Sequence, residues 1–122
     1  MSKKVLIVDD EKDLVDMLKL RIEAMGYEVY SAFDGQEGLA KAREIKPDLI
    51  VLDIMMPKMN GYEVCRFLKF DDEFKDIPII MLTARGQEAD KQLGEEVGAD
   101  EYITKPFDSN ELVEKIKSIL EA

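Results

Sequence analysis

The feature that most constrains this chain is a fivefold alternation of short apolar runs with longer amphipathic stretches. The runs are Lys4–Val8, Tyr27–Ala32, Leu49–Leu52, Ile77–Leu82 and Glu101–Thr104. The first, third and fourth are almost entirely Val, Ile, Leu and Met, which is typical of parallel strands covered on both faces. Strands alternating with helices predict a single α/β domain with a doubly wound parallel sheet. We expect the strand order 2-1-3-4-5, which is common at this size.

The amphipathic stretches predict five helices. The apolar face of the first comprises Leu14, Met17, Leu18, Ile22 and Met25, with Gly26 placed as a C-terminal cap. Three later helices have a possible N-cap with Glu three residues on: Asp34, Asn60 and Asp108, followed by Glu37, Glu63 and Glu111. Their apolar faces are predicted to be Leu39 with Ile45; Val64, Phe67 and Leu68; and Leu112, Ile116 and Leu120. The fourth helix, over 85–97, contains two glycines and is predicted to be the least stable.

Composition excludes several function classes. The chain has 122 residues, a net charge of −10 and no histidine. Its charge disfavours binding to nucleic acid or to anionic membranes, and the lack of histidine excludes Ser-His-Asp and Cys-His catalysis. The single cysteine, Cys65, allows no intramolecular disulfide, and no segment is predicted to target or span a membrane. We expect a cytoplasmic protein made of one domain, residues 1–122, without an output domain.

Polar residues follow the predicted strands where a ligand site is expected. Asp9, Asp10 and Asp53 converge at the switch point between strands 1 and 3, and three carboxylates there suit a hard divalent cation such as Mg²⁺. Thr83, Ala84 and Lys105 end the fourth and fifth strands and together suit a phosphoryl group. Taken singly, one aspartate could be a helix cap and Lys105 an ordinary surface lysine.

Four motifs in this order resemble response-regulator receiver domains, which have a flavodoxin-like (βα)5 fold. They are Val8-Asp9-Asp10-Glu11, the run from Asp53 to Gly61, Leu82-Thr83-Ala84, and Tyr102-Ile103-Thr104-Lys105-Pro106-Phe107. The resemblance implies that Asp53 accepts a phosphoryl group. It also implies that Mg²⁺, or Mn²⁺ in its place, is bound by Asp9, Asp10, Asp53 and the Met55 carbonyl.

The same resemblance assigns the remaining roles. Lys105, Thr83 and Ala84 would contact the phosphoryl group, Thr83 and Tyr102 would form the conformational switch, and Lys105–Pro106 would be a cis peptide. Because the chain has no histidine, the phosphoryl group must come from a sensor histidine kinase, a phosphotransfer protein or a small phosphodonor. This indicates a signalling switch rather than a turnover enzyme. Met55 and Arg85 occupy the positions that tune hydrolysis, and they predict a phosphoryl lifetime of minutes or longer.

The resemblance also implies surfaces for partners. Readout is expected on the face formed by the predicted helix over 85–97, the fifth strand and the last helix. The charges expected there could support a phosphorylation-dependent homodimer or could simply be solvated: Lys91, Asp100, Glu101, Glu111 and Lys115. Leu14, Leu18 and Phe107 are candidate kinase contacts that could equally belong to the core. The sequence does not identify the kinase or the downstream target.

Three other functions compete with this interpretation. An aspartyl phosphatase usually has a second Asp two residues after its nucleophile, but Met55 follows Asp53 and Glu11 follows Asp9 at that spacing. A flavin-binding electron carrier would need a phosphate loop after the first strand, where Asp10 and its neighbours would repel phosphate. A receiver-like adaptor that accepts no phosphate is disfavoured by the complete set of motif residues.

Overall fold

The computed structural model describes residues 2–56, 58–84 and 98–121. The strands of this part are β1 (Lys4–Val8), β2 (Glu28–Ala32), β3 (Leu49–Asp53), β4 (Ile79–Ala84) and β5 (Glu101–Lys105). Its helices are α1 (Lys12–Glu23), α2 (Gly35–Ile45), α3 (Gly61–Lys69) and α4 (Ser109–Leu120). The predicted helix over 85–97, with Arg85 and Lys91, lies outside the described residues. None of the described helices has the length and apolar composition needed to span a membrane.

The strands form one parallel sheet in the order β2-β1-β3-β4-β5, which confirms the predicted α/β topology. Val8 lies opposite Leu52, and Asp53 lies opposite Leu82. At the C-terminal ends of β4 and β5, Ala84 lies opposite Lys105. Because all the strands run in the same direction, their C-terminal ends form one edge, and the residues that follow them meet there.

The core lies in two layers, one on each face of the sheet. Val5 and Ile7 of β1 pack in a cluster with side chains of α1 and α4. Leu6 and Val8 point to the opposite face and pack with side chains of α2 and α3. This two-sided cover explains why the central strands are apolar at successive positions rather than at alternate ones.

Two side chains that were predicted to face the core lie on the surface. Met17 is 39% exposed and Phe67 is 51% exposed. Helix α1 buries Val15, Leu18 and Ile22, and this stripe excludes Met17. Helix α3 buries Val64 and Leu68 as predicted. Its buried face also includes Gly61 and Cys65, and Phe67 therefore faces solvent. Apolar residues adjacent to a buried stripe were therefore assigned to the wrong face.

The helix ends largely follow the predicted capping residues. Asn60 and Glu63 form a complete capping box at the start of α3. Asp34 accepts a hydrogen bond from the Glu37 N–H. Two details of the prediction were wrong. The Asp108 side chain accepts from the Asn110 N–H at 2.8 Å instead of pairing with Glu111. Helix α1 ends at Glu23 with Ala24 as its C-cap, so Gly26, at φ +95°, follows the cap rather than forming it.

Candidate functional site

The C-terminal edge of the sheet contains all the buried polar side chains of the described residues. These are Asp9, Asp53 and Thr83, which are 0%, 6% and 5% exposed. Each one lies at the C-terminal end of a central strand, with Asp9 directly after β1, Asp53 at the end of β3 and Thr83 one residue before the end of β4. Burial of ionisable groups is costly unless they are paired or bind a cation. The ends of the strands therefore bring together buried groups that do not contribute to stability by themselves, which indicates that they have another role.

Three carboxylates form a compact cluster at this edge. One carboxylate oxygen from each of Asp9, Asp10 and Asp53 lies within 4.8 Å of the other two. Asp9 is fixed in place because its N–H donates to the Ala32 carbonyl at 3.1 Å and its Oδ1 accepts the Glu11 N–H at 2.9 Å. Like charges this close repel one another, and an all-oxygen donor set matches a hard divalent cation. The residues present therefore fit the Mg²⁺ that the sequence predicts.

Lys105 crosses the cluster from the end of β5. Its Nζ lies 2.9 Å from Asp9 Oδ2, 3.2 Å from Glu11 Oε1 and 3.6 Å from Asp53 Oδ1. Together with Asp10, which lies beside Asp9 and Asp53, the site contains four carboxylates and one ammonium group, so it retains a negative charge that a divalent cation can offset. Glu11 was not predicted as a partner of Lys105. It belongs to the first motif, but residue spacing alone does not show that its side chain reaches β5.

The electrostatics of the cluster are reflected in its pKa values. Burial, reinforced by the charge of Asp9, raises the pKa of Asp53 from 3.8 to about 6. Burial also raises the pKa of Asp9, although hydrogen bonds from the Glu11 N–H and from Lys105 oppose the shift. For Lys105, burial acts to lower the pKa, but the hydrogen bond to Asp9 and the charge of Asp53 outweigh it and the pKa is raised. Lys105 is therefore protonated at neutral pH, and added positive charge would favour the ionised form of Asp53, which burial and Asp9 disfavour.

The remaining predicted residues surround this cluster. The Thr83 hydroxyl lies 3.5 Å from the Thr104 hydroxyl on the neighbouring strand. Tyr102 is half-buried and packs against the core layer beneath α2 and α3. Met55, two residues after Asp53, is 66% exposed. The Lys105–Pro106 peptide bond is cis. Of the candidate kinase contacts, Leu18 is fully buried, whereas Leu14 and Phe107 are partly buried against the core.

The loop between β3 and α3 brings the start of α3 against the site. The Gly61 N–H donates to the Ile54 carbonyl at 2.9 Å. A Cβ at Gly61 would lie 2.4 Å from the Asp53 carbonyl oxygen and 2.9 Å from the Ile54 Cα, closer than backbone atoms allow. Only glycine fits there without displacing the backbone of the residue that is predicted to accept the phosphoryl group.

Comparison with known proteins agrees with this geometry. The family model of the response regulator receiver domain matches residues 5–117. The alkaline phosphatase synthesis transcriptional regulatory protein PhoP of Bacillus subtilis is 51% identical over 120 residues, which cover 98% of this chain and 49% of that protein. The chain thus spans about half the length of this curated relative.

Solved structures give the same result. A CheY-like response regulator receiver domain protein from Methanospirillum hungatei is 35% identical with a TM-score of 0.92, covering 99% of this chain and 95% of that one. The chemotaxis protein CheY4 of Vibrio cholerae is 36% identical with a TM-score of 0.90, covering 98% and 99%. The fold, the acidic edge of the sheet and the family match together show that this chain belongs to the response regulator receiver domains of two-component signalling.

Proposed function

We propose that the chain is a phosphorylation switch in which Asp53 accepts a phosphoryl group in a reaction that requires Mg²⁺. The observation that carries this proposal is the position of Asp53, buried at a strand end between other carboxylates and only 3.6 Å from the ammonium of Lys105. The donor would be the phosphohistidine of a sensor histidine kinase or phosphotransfer protein, or a small acyl phosphate. The protein would act in the cytoplasm, and the chain would bind neither nucleic acid nor membrane.

The proposed chemistry is an in-line displacement at phosphorus. An oxygen of the Asp53 carboxylate forms the new P–O bond while the bond from phosphorus to the donor nitrogen or oxygen breaks, and the donor leaves with the electron pair. Lys105 would move from Asp9 and Glu11 to the phosphoryl oxygens. Asp9, Asp10, Asp53 and the Met55 carbonyl would hold Mg²⁺, which when bound offsets the negative charge of the attacking carboxylate and of the phosphoryl oxygens.

The signal would then pass through the neighbouring strands. Thr83 and the Ala84 N–H would contact the phosphoryl group, and Tyr102 would move together with Thr83. This makes the chain a switch that is reset by loss of the phosphoryl group, and not an enzyme that turns over an external substrate. The downstream protein would recognise the surface near β5 and the last helix.

The same surface would mediate a phosphorylation-dependent homodimer. Lys115 Nζ lies 3.5 Å from Glu101 Oε1, and this partly exposed pair could exchange partners with a second copy. Asp100 is already engaged, because its Oδ2 accepts from Lys69 Nζ and from the Ile79 N–H. Sedimentation velocity with and without a phosphoryl mimic tests the dimer. A monomer under both conditions would rule it out.

Intact-mass spectrometry tests the phosphorylation. The protein is incubated with acetyl phosphate and Mg²⁺ beside an Asp53→Asn variant and a sample containing EDTA. We expect the mass of one phosphoryl group to appear only in the unmodified protein with metal. Equal labelling of the Asp53→Asn variant would show that another residue is the acceptor.

A further inference from the structure

Two phenylalanines lie next to each other on the solvent-facing side of α3. Phe67 is 51% exposed and Phe70, the residue that ends the helix, is 77% exposed. They are three residues apart and therefore occupy the same side of the helix. The fold does not require either side chain, since α3 packs on the sheet through Val64, Cys65 and Leu68. Helix α3 thus carries a second apolar stripe directed away from the core.

The two rings border an open groove with a volume of about 890 Å³. Its lining residues are Glu63, Arg66, Phe67, Phe70, Asp71 and Asp72, and we call it the α3 groove. Besides the two rings, the lining contains three carboxylates and one guanidinium, which we call its rim. Two of the carboxylates are held in place by backbone donors: Glu63 accepts the Asn60 N–H at 3.2 Å, and Asp71 accepts the Glu73 N–H at 3.0 Å. The groove therefore combines two exposed aromatic rings with an acidic rim in which two of the carboxylates are preorganised.

We propose that the α3 groove binds a cationic amphipathic helix of a partner protein. The apolar side chains of such a helix, spaced three and four residues apart, would pack against Phe67 and Phe70. Lysines or arginines beside that apolar stripe would face the carboxylates of Glu63, Asp71 and Asp72. Large aromatic side chains in a groove are the usual centres of binding energy, and charges at the rim select the partner.

The acidic rim argues against other occupants. A second copy of this chain would bring the same carboxylates and a net charge of −10 toward the groove, and like charges brought together in an interface are costly. Nucleic acid and anionic lipid would be repelled for the same reason. The complementary surface is therefore basic and apolar.

The groove is separate from the proposed phosphorylation site. The site touches the first residue of α3, Gly61, whereas the aromatic pair lies at the opposite end of the helix. Binding in the groove requires neither Mg²⁺ nor a phosphoryl group. The proposal can therefore be tested on the unphosphorylated protein in EDTA, and its outcome does not depend on whether Asp53 accepts phosphate.

The test measures the binding of synthetic helices by fluorescence anisotropy. The first probe is a fluorescein-labelled 18-residue peptide with Leu on one helical face and Lys on the other. A second probe replaces each Lys with Glu, and a third has the composition of the first with Leu scattered around the helix. We expect saturable binding of the first probe alone. Phe70→Ser and Phe67→Ser should each weaken it by about tenfold or more, as loss of a central aromatic contact does.

Matched controls exclude non-specific attraction to an acidic protein. Leu20 on α1 is 73% exposed, close to the value for Phe70, so Leu20→Ser removes a similar exposed apolar side chain elsewhere. Asp72→Asn removes a carboxylate from the rim of the groove, and Glu44→Gln removes an exposed carboxylate on α2, away from the groove. The proposal predicts near-normal binding by Leu20→Ser and Glu44→Gln and weaker binding by Asp72→Asn, with circular dichroism showing that all variants are folded. Equal losses in the phenylalanine and Leu20 variants, equal binding of the Glu probe, or no saturable binding would each overturn it.

Discussion

Asp53 is a residue whose ionisation opposes folding when no metal is bound. Its pKa is about 6 in the folded protein against an ordinary value of 3.8, because it is buried and lies beside Asp9. Below 3.8 both states are protonated. As the pH rises from 3.8 to 6 the unfolded chain releases the proton first, so the free energy of unfolding falls, and above 6 it levels off. At ~1.36 kcal/mol per pKa unit, the cost at neutral pH is about 3 kcal/mol.

We therefore predict that Asp53→Asn stabilises the metal-free protein. The gain in free energy of unfolding should be about 3 kcal/mol at pH 7.5 and roughly half of that at pH 5. Urea denaturation in EDTA at the two pH values measures it. Asp76→Asn, at an exposed position, is the control and should change little. Destabilisation by Asp53→Asn at both pH values would contradict the conclusion that ionised Asp53 opposes folding in the metal-free protein.

Lys105 provides the only cation within ion-pair distance of Asp9 and Asp53 among the described residues. Lys105→Ala leaves the fully buried Asp9 without a counter-ion, and breaking a buried pair costs about 3 kcal/mol. We predict a large loss of thermal stability in EDTA and a larger stabilisation by Mg²⁺ than in the unmodified protein. Lys115→Ala breaks a more exposed pair and should cost under about 1 kcal/mol. Equal responses of the two variants to Mg²⁺ would argue against cation binding at this cluster.

Met55 is the side chain we expect to limit access of water to a phosphoryl group on Asp53. It lies two residues after Asp53 and is 66% exposed, so it can be shortened with little effect on packing. We predict a lifetime of minutes or longer for the phosphorylated protein and a severalfold shorter one for Met55→Ala. Met17→Ala, on α1, is the control for loss of an exposed methionine. Decay of the label within seconds in the unmodified protein would contradict the prediction.

At the scale of elements, strands were easier to predict than helix faces. A buried parallel strand is apolar at successive positions, so the run Leu49–Leu52 stands out whichever way its side chains point. To predict which residues of a helix are buried, the position of the buried stripe must be known to within one residue. Two adjacent apolar residues, such as Phe67 and Leu68, cannot be told apart by spacing alone. Which one is buried depends on how α3 packs on the sheet, where its first residue, Gly61, lies close to the backbone at the end of β3.

That close approach gives a prediction for the β3–α3 loop. Gly61→Ala places a Cβ 2.4 Å from the Asp53 carbonyl oxygen, so the loop must shift, at a cost of about 1–3 kcal/mol. The shift should also slow labelling of Asp53 by acetyl phosphate. Gly26→Ala is a matched control, because its Cβ meets nothing within 4 Å and only the positive φ is strained, at about 1–2 kcal/mol. If Gly61→Ala were labelled as fast as Gly26→Ala, Gly61 would not position the acceptor.

For the whole molecule, the order of the strands makes the site predictable. Parallel strands bring their C-terminal ends to one edge, so residues as distant in sequence as Asp9 and Lys105 could be expected to meet there. The contact between Lys105 and Glu11 could not be expected, because it depends on the rotamers of two long side chains. The α3 groove was missed for a similar reason. It exists because Phe67 faces away from the core, which only the packed structure shows.

The central claim is that Asp53 is the phosphoacceptor, and reduction with borohydride followed by peptide mapping tests it most directly. An aspartyl phosphate is reduced to homoserine, whereas a free carboxylate is not, so tandem mass spectrometry identifies the modified residue. After incubation with acetyl phosphate and Mg²⁺, we predict homoserine at position 53 and no conversion in EDTA. Homoserine at Asp9 or Asp10, or none in a protein that has gained a phosphoryl group, would contradict the account.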